Sequence, residues 1–264
     1  MGDVLYLTGR PSEAERHYRQ AVQIREKLSE DFPADTEHRR RLSLEYADLG
    51  LALFALKRTQ EAEVIFRRRL SVAKKLVADH PTAAHLVPEL AWAYYDLGFL
   101  RELTGRFQEA ADSFRPAFKA FEDAVVQSPK DGRNHFNLAW VLATCPAPQF
   151  RHPGRAVEFA NKALQLEPMP AEYWRTLGVA EYRAGNWKAA LQAFDESTAR
   201  AYGRERGELF FLAMTHWQLG DKSRASRLYE QARRWMEGNR PGDMQARSFR
   251  DEAAAVLGLE NKKN

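Results

Sequence analysis

The sequence predicts an all-α protein, a superhelical solenoid of about six helix-turn-helix repeats, and two observations lead to that fold class. Between Pro170 and Ala199, apolar or small residues recur three and four positions apart on both sides of Gly185. That spacing is typical of two amphipathic helices joined by a tight turn. The same pattern also returns along the chain, and self-similarity at a regular period is the signature of a repeat architecture. We therefore expect a single solenoid over residues 1–258.

Each predicted repeat is marked by a small residue near the beginning of its second helix. These residues lie 48, 48, 46, 34 and 35 positions apart and are Ala14, Ala62, Ala110, Ala156, Ala190 and Ala225. Four positions after each of them comes an aromatic or apolar residue, namely Tyr18, Phe66, Phe114, Ala160, Phe194 and Tyr229. Twelve positions before five of them lies another small residue, at Gly2, Gly50, Gly98, Gly178 and Ala213. Small residues on both helices of a pair allow the two backbones to approach closely.

Two repeat lengths divide the chain. In the extended 48-residue repeats of residues 1–129, each of the two helices is seven residues longer than in the repeats of residues 130–237. Seven residues are about two helical turns, so the apolar face returns nearly in register. Two residues of the second repeat depart from the pattern. Lys57 replaces the turn glycine and Arg69 replaces a small residue, so we expect looser packing there.

The order of residues in the shorter repeats resembles the tetratricopeptide repeat (TPR) family. Trp174, Leu177 and Gly178 give the W-x2-L-G order, and Ala190 with Phe194 gives the A-x3-F order. The extended repeats are similar to those of kinesin-light-chain-like TPR proteins. Residues 130–258, including Leu142–Pro146, Tyr173–Gly178 and Phe210–Ala213, also resemble the helical tails of large bacterial Ser/Thr protein kinases.

Several segments stand apart from the regular repeats. Residues 145–154 form a loop that contains three prolines, which disfavour a helix. Residues 241–258 are predicted to form a polar capping helix with Arg247, Arg250, Asp251 and Glu252 on its exposed side, followed by a disordered tail at 259–264. Because Gly2 already occupies the middle of a first helix, we expect the chain to be a fragment of a longer protein; the alternative is a natural short N-terminus.

Composition favours a water-soluble protein without a nucleic-acid partner. The formal charge is +4, acidic residues are mixed with basic ones, and the two Arg runs at 39–41 and 67–69 fan out around their helices. No apolar run reaches the length of a membrane span, so no membrane association is expected. The single cysteine, Cys145, excludes an internal disulfide and fits a reducing, cytoplasmic compartment.

No reaction is indicated by the sequence. Phosphate-binding glycine loops, kinase core motifs, a nucleophile elbow and the zinc-binding H-E-x-x-H motif are all missing from the chain. The seven histidines do not pair at helical ligand spacing, and Cys145 has no neighbouring base in the sequence. We therefore expect no enzymatic activity, no metal and no cofactor.

The TPR resemblance implies that the first helix of each pair lines a concave groove. Carried onto this sequence, the family's groove positions give an aromatic-rich row with two arginines: Leu51, Phe54, Trp92, Tyr95, Phe99, Phe136, Trp140, Arg175, Tyr182, Arg183, Phe210 and Trp217. Aromatic and arginine side chains are typical of protein-binding hot spots. The alternative is that these aromatics pack against neighbouring repeats and are not free to bind a partner.

The function predicted from these observations is a non-catalytic scaffold or adaptor that binds a protein, as an extended peptide or as a partner helix, along the groove. A regulatory or targeting segment of a larger bacterial Ser/Thr kinase is the alternative. Self-association is a third possibility, because the shortened first helix would leave an apolar end uncovered.

Overall fold

The computed structural model describes residues 5–6, 9–200, 209–239 and 243–259. Its twelve α-helices in these residues are α1 Pro11–Asp31, α2 Thr36–Ala55, α3 Thr59–Asp79, α4 Val87–Leu103, α5 Phe107–Gln127, α6 Gly132–Thr144, α7 Pro153–Leu166, α8 Ala171–Arg183, α9 Trp187–Arg200, α10 Leu209–Gln218, α11 Lys222–Asn239 and α12 Met244–Leu257. No strand occurs in these ranges, and the predicted all-α fold is confirmed. The predicted helix around Gly2, the break between helices at 240–242 and the tail from 260 lie outside the described residues.

The helices pack as consecutive antiparallel pairs. Helix α2 packs on α3, α4 on α5, α6 on α7 and α8 on α9, while neighbouring pairs meet through contacts such as α3 with α4 and α7 with α8. The second helices α1, α3 and α5 have 21 residues each, whereas α7 and α9 have 14. The difference is the seven residues counted from the sequence.

The chain divides into two compact units. Unit 1 consists of Met1–Ser128 with Asn239–Met244, and unit 2 consists of Pro129–Gly238 with Gln245–Asn264. The division after Ser128 coincides with the predicted change from extended to shorter repeats, and the single solenoid over residues 1–258 stays a prediction. Among the described residues, no helix combines the length and the apolar character needed to cross a lipid bilayer.

The N-termini of several helices are stabilised by capping aspartates or by a proline in the first turn. The carboxylates of Asp35 and Asp131 accept hydrogen bonds from the backbone N–H two residues later, at 2.8 and 2.9 Å, and so satisfy N–H groups that have no partner within the helix. Pro11 and Pro153 occupy the first turns of α1 and α7, where a missing N–H costs nothing.

Five of the turns between helices adopt a left-handed backbone conformation, whereas the connection from α6 to α7 contains no residue with positive φ. Gly9, Gly105, Gly185 and Gly220 have φ between 76° and 88°, and Lys57 adopts the same conformation with φ 61°. The turn of the second repeat therefore keeps its geometry without glycine, at a cost of about 1 kcal/mol for the side chain.

Arg69, where we expected looser packing, is accommodated through an ion pair with the next repeat. The Arg69 guanidinium is buried and forms an ion pair with Asp96 of α4. The carboxylate compensates the charge that a buried arginine brings, so this arginine occupies the place of a small residue without leaving an uncompensated charge. No feature of the second repeat alone could have revealed this, because the partner lies in the third.

The segment predicted as a proline-rich loop at 145–154 ends at His152, since α7 begins at Pro153, and it is ordered by hydrogen bonds to the end of α6. Arg151 Nε donates to the backbone carbonyl of Cys145 at 2.5 Å, and the N–H of His152 donates to the carbonyl of Leu142 at 3.0 Å. The Cys145 side chain is fully buried. This loop is therefore packed onto its own repeat.

The close approach of paired helices gives a stability prediction. A Cβ added to Gly178 would lie 2.5 Å from the Phe194 ring, so Gly178→Ala forces α8 and α9 apart and should lower the free energy of unfolding by about 1–3 kcal/mol. Gly154→Ala in α7 is the matched control, since a Cβ there meets no atom within 4 Å. Urea unfolding followed by circular dichroism measures both, and equal stability of the two variants would contradict this packing account.

Candidate binding groove of unit 2

In unit 1 the predicted groove aromatics are largely used for packing within their own pair. Trp92 of α4 meets the Phe121 ring of α5 edge-on at a centroid distance of 5.0 Å, and Tyr95 lies 5.3 Å from Phe114. Tyr95 and Phe99 expose only 3% and 5% of their surface, whereas Trp92 is half-buried. In α4 the structure therefore corresponds to the alternative raised from the sequence, in which the aromatics pack against neighbouring helices.

The predicted positions on α2 are also engaged. Leu51 and Phe54 are partly buried and pack against the apolar core that α1, α2, α3 and part of α4 share. Neither residue contributes to an open aromatic row among the described residues of unit 1.

In unit 2 the first helices of successive pairs lie side by side and bring their aromatic residues together. Phe136 of α6 stacks on Tyr173 of α8, with ring centroids 4.8 Å apart and planes 18° apart. One turn further along α6, the half-buried Trp140 ring lies under the Arg175 guanidinium of α8 at 5.6 Å. These two contacts fix α6 against α8.

Arg183, at the end of α8, connects three first helices. Its Nε donates to the backbone carbonyl of Ala143 in α6 at 3.1 Å. Its guanidinium carbon lies 5.2 Å from the centroid of the Phe211 ring in α10, and Tyr182 meets that ring edge-on at 5.7 Å. We call the surface formed by Trp140, Arg183 and Phe211 the groove site.

The C-terminal helix α12 occupies the groove site. Phe249 meets the Phe211 ring at 4.8 Å and the Trp140 ring at 6.2 Å, edge-on in both cases. Both terminal nitrogens of Arg183 donate to the Glu252 carboxylate, one of them at 2.6 Å. The Phe249 side chain is 7% exposed, and Ala253 and Leu257 on the same face of α12 are buried. One helix of the chain thus lies against three earlier first helices.

Two sequence expectations need correction here. Glu252 was expected on the exposed side of a capping helix, but its carboxylate is paired with Arg183 and three-quarters buried. Phe210 was expected in the groove, but it packs on Tyr229 of α11 at 5.9 Å and is 3% exposed. Its neighbour Phe211 meets Arg183 and Phe249 at the groove site instead.

The remaining predicted residues lie near the groove site without completing it. Trp217 of α10 is half-buried and has the Lys222 ammonium 5.0 Å from its ring centroid. Tyr182 is buried beside Arg183; burial raises the pKa of its hydroxyl, and the nearby Glu252 carboxylate raises that pKa further. This charge effect follows from the presence of α12 in the groove.

The chemistry of the groove site is that of recognition. A guanidinium suits a carboxylate, and the rings of Trp140 and Phe211 suit an aromatic side chain such as that of Phe249. The described residues contain no group of three or more His, Cys, Asp or Glu that could hold a metal ion.

Comparisons with known proteins identify the repeats. One tetratricopeptide-repeat family model matches residues 1–35 and 46–82, and a second one matches residues 149–204. These matches confirm the predicted TPR repeats, whereas the resemblances to kinase tails and kinesin-light-chain-like proteins stay predictions. No curated protein matches the chain.

Several solved structures are similar to this chain. A thermophilic TPR protein of Thermus thermophilus is 17% identical, with a TM-score of 0.52 over 82% of this chain and 100% of that one. PilW, a type IV pilus biogenesis factor, is 17% identical, with a TM-score of 0.49 over 83% and 87% of the two chains. A TPR protein from Parabacteroides merdae is 13% identical, with a TM-score of 0.48 over 97% and 89%. The first of these likenesses supports the TPR fold and nothing beyond it.

The ion pair that holds α12 can be measured with a double-mutant cycle. Arg183→Met, Glu252→Gln and the double variant should give a coupling free energy of about 1–3 kcal/mol, because the pair is bidentate and mostly buried. The exposed pair Arg250–Asp251 on the same helix is the control and should give at most about 0.5 kcal/mol in an Ala cycle. Urea unfolding provides the free energies. Additive effects at Arg183 and Glu252 would show that the two side chains are not partners in solution.

Proposed function

We propose that this chain of tetratricopeptide repeats is a non-catalytic scaffold that binds a segment of a partner protein at the groove site of unit 2. The observation that carries the proposal is the helix already bound there: α12 places an aromatic ring and a carboxylate on Trp140, Phe211 and Arg183. A surface that holds one helix through an aromatic anchor and a bidentate ion pair has the chemistry to hold another.

The groove site is pre-organised for binding. Phe136 on Tyr173 and Arg175 on Trp140 hold α6 and α8 together, and the Ala143 carbonyl orients the Arg183 guanidinium. Side chains held in place before a partner arrives lose little conformational freedom on binding, which favours affinity.

A protein partner is favoured over a nucleic acid because the two arginine runs already have carboxylate partners. All six arginines form ion pairs within unit 1: Arg39 with Asp79, Arg40 with Glu37 and Glu89, Arg41 with Glu37, Arg67 with Glu63, Arg68 with Glu26, and Arg69 with Asp96. Hydrogen bonds from Arg106 and Arg67 lower the pKa of Glu63 to about 2. Arginines that are paired with carboxylates attract phosphate groups only weakly.

Two finer parts of the proposal stay predictions. A cytoplasmic location follows from the single cysteine, and a place beside a Ser/Thr kinase domain follows from the resemblance of residues 130–258. The sequence of the parent open reading frame decides the second point, because a kinase domain would be encoded upstream of these repeats.

The proposed function is tested by affinity capture from a lysate of the source organism with mass spectrometry. We expect a protein that the native chain retains and the Trp140→Ala/Arg175→Ala variant loses, because that variant removes both the ring and the cation that supports it. The loss should correspond to at least about thirtyfold weaker binding, as for a hot spot of about 2 kcal/mol.

The control variant is Phe107→Ala, which removes an aromatic ring that is 61% exposed in unit 1. It should retain the same partner as the native chain. Equal retention by the native chain and by the Trp140→Ala/Arg175→Ala variant would place the binding surface elsewhere and contradict the proposal.

A further inference from the structure

We propose that α12 is an internal ligand of the groove site, and that the partner which replaces it is an amphipathic helix carrying an aromatic residue and a carboxylate three positions later. The inference rests on the proposed function and deepens it, since it defines the chemical class of the partner and a means of regulation. It is carried by the contacts of Phe249 and Glu252 with three first helices.

The spacing of the contacting residues defines the ligand. Phe249 and Glu252 are three positions apart, so they lie on one face of the helix and reach the groove site together. Ala253 and Leu257 follow at four and eight positions from Phe249 and are buried on the same face. The partner is therefore a helix with an aromatic residue at position i, a carboxylate at i+3, a small residue at i+4 and an apolar residue at i+8.

The opposite face of α12 shows that the helix is held on one side. Asp251, Ala255 and Gly258 lie on the side away from Phe249 and are exposed. A helix of 14 residues is marginal in water on its own, so the groove site supplies much of its stability. A helix held on one side can leave its site without disrupting the pairs beneath it.

The geometry of Arg183 makes α12 and a partner compete for the groove site. Its two terminal nitrogens are used by Glu252 and its Nε by the Ala143 carbonyl. A partner carboxylate can bind the guanidinium in the same bidentate manner only after Glu252 has left, and its aromatic residue needs the place of Phe249. The apparent affinity for a partner is thus the intrinsic affinity of the open groove site multiplied by the fraction of molecules from which α12 has left.

The experiment uses a fluorescently labelled peptide of residues 243–259, titrated with three forms of the full chain and followed by anisotropy. The forms are the native chain, the Phe249→Ala/Glu252→Ala variant, which has an open groove site, and that variant with Arg183→Ala added. We expect the open variant to bind the peptide at least tenfold more tightly than the native chain, and the added Arg183→Ala to abolish the gain. A control peptide carrying Phe249→Ala and Glu252→Gln should not bind.

A second, milder variant keeps the test valid if the double substitution disturbs folding. Glu252→Gln keeps the shape of the side chain and removes its charge, so it should raise peptide affinity severalfold with unchanged circular dichroism. Equal affinity of the native chain and both variants, or no binding by either variant, would overturn the inference.

The outcomes separate this inference from the proposed function. If a captured partner binds the native and open chains equally, α12 does not guard the groove site, although the scaffold proposal stands. If the open chain binds the α12 peptide but no foreign partner depends on Trp140, α12 is an internal ligand of the groove site, whereas the scaffold proposal and the partner class that rests on it fail. Sedimentation at several concentrations covers a third outcome: a native dimer that dissociates in the open variant would assign α12 to the groove of a second copy and overturn an internal ligand.

Discussion

In three of the helical pairs, a phenylalanine ring of the second helix lies directly against a glycine of the first. A Cβ on Gly50, Gly98 or Gly178 would come within 2.5–2.8 Å of the ring of Phe66, Phe114 or Phe194. This contact fixes the distance between the two helix backbones, so the remaining faces of the first helices are free to meet their neighbours. In unit 2, the Gly178–Phe194 contact fixes α8 on α9, and α8 lies beside α6 and α10, so that Trp140, Arg183 and Phe211 share one surface. The groove site depends on close packing within the pairs beneath it.

The arginine side chains of this protein form ion pairs that stabilise the fold, and one of them also has the chemistry of a binding site. The arginine runs of unit 1 are matched by carboxylates, and Arg69 with Asp96 forms one such pair in a buried position. In unit 2, Arg183 has a different role, because its partner Glu252 belongs to a helix that is held on one side only. A buried bidentate pair gives specificity, since a partner without a carboxylate at the right position leaves the guanidinium without its strongest acceptor. The same side chain can therefore hold α12 and select what replaces it.

The repeats could be predicted because their signal is local and recurrent. Small residues at fixed spacing predict the paired helices, and the seven extra residues of the long repeats correspond to helices of 21 residues where the short repeats have 14. Turn geometry was predictable at the glycines, while Lys57 adopts the same left-handed conformation because the surrounding helices impose it. Arg69 shows the limit of this approach, since its partner Asp96 lies 27 residues away in the next repeat.

The candidate site was predicted only in part, for a physical reason. The family pattern led to Trp140, Arg175 and Arg183. In α10, however, a shift of one position decides whether Phe210 or Phe211 faces the groove. The glycine by which groove positions are counted in the family is Ala213 in this repeat, so the sequence marks the position less clearly. The apolar stripe of α12 is visible in the sequence, but a stripe does not identify the surface that accepts it. Glu252 looked like a solvent-exposed charge for the same reason. Long-range contacts decide these positions, and no spacing within one repeat records them.

The occupation of the groove site by α12 is tested most directly by hydrogen–deuterium exchange of the full chain, read by mass spectrometry on peptides from α12. If α12 is bound at the groove site, its amides exchange slowly in the native chain and approach the rate of an unstructured peptide in Arg183→Ala, while peptides from α2 to α5 are unchanged. Fast exchange of α12 in the native chain, at the rate found in the variant, would contradict the account, because the helix would then be free of the groove.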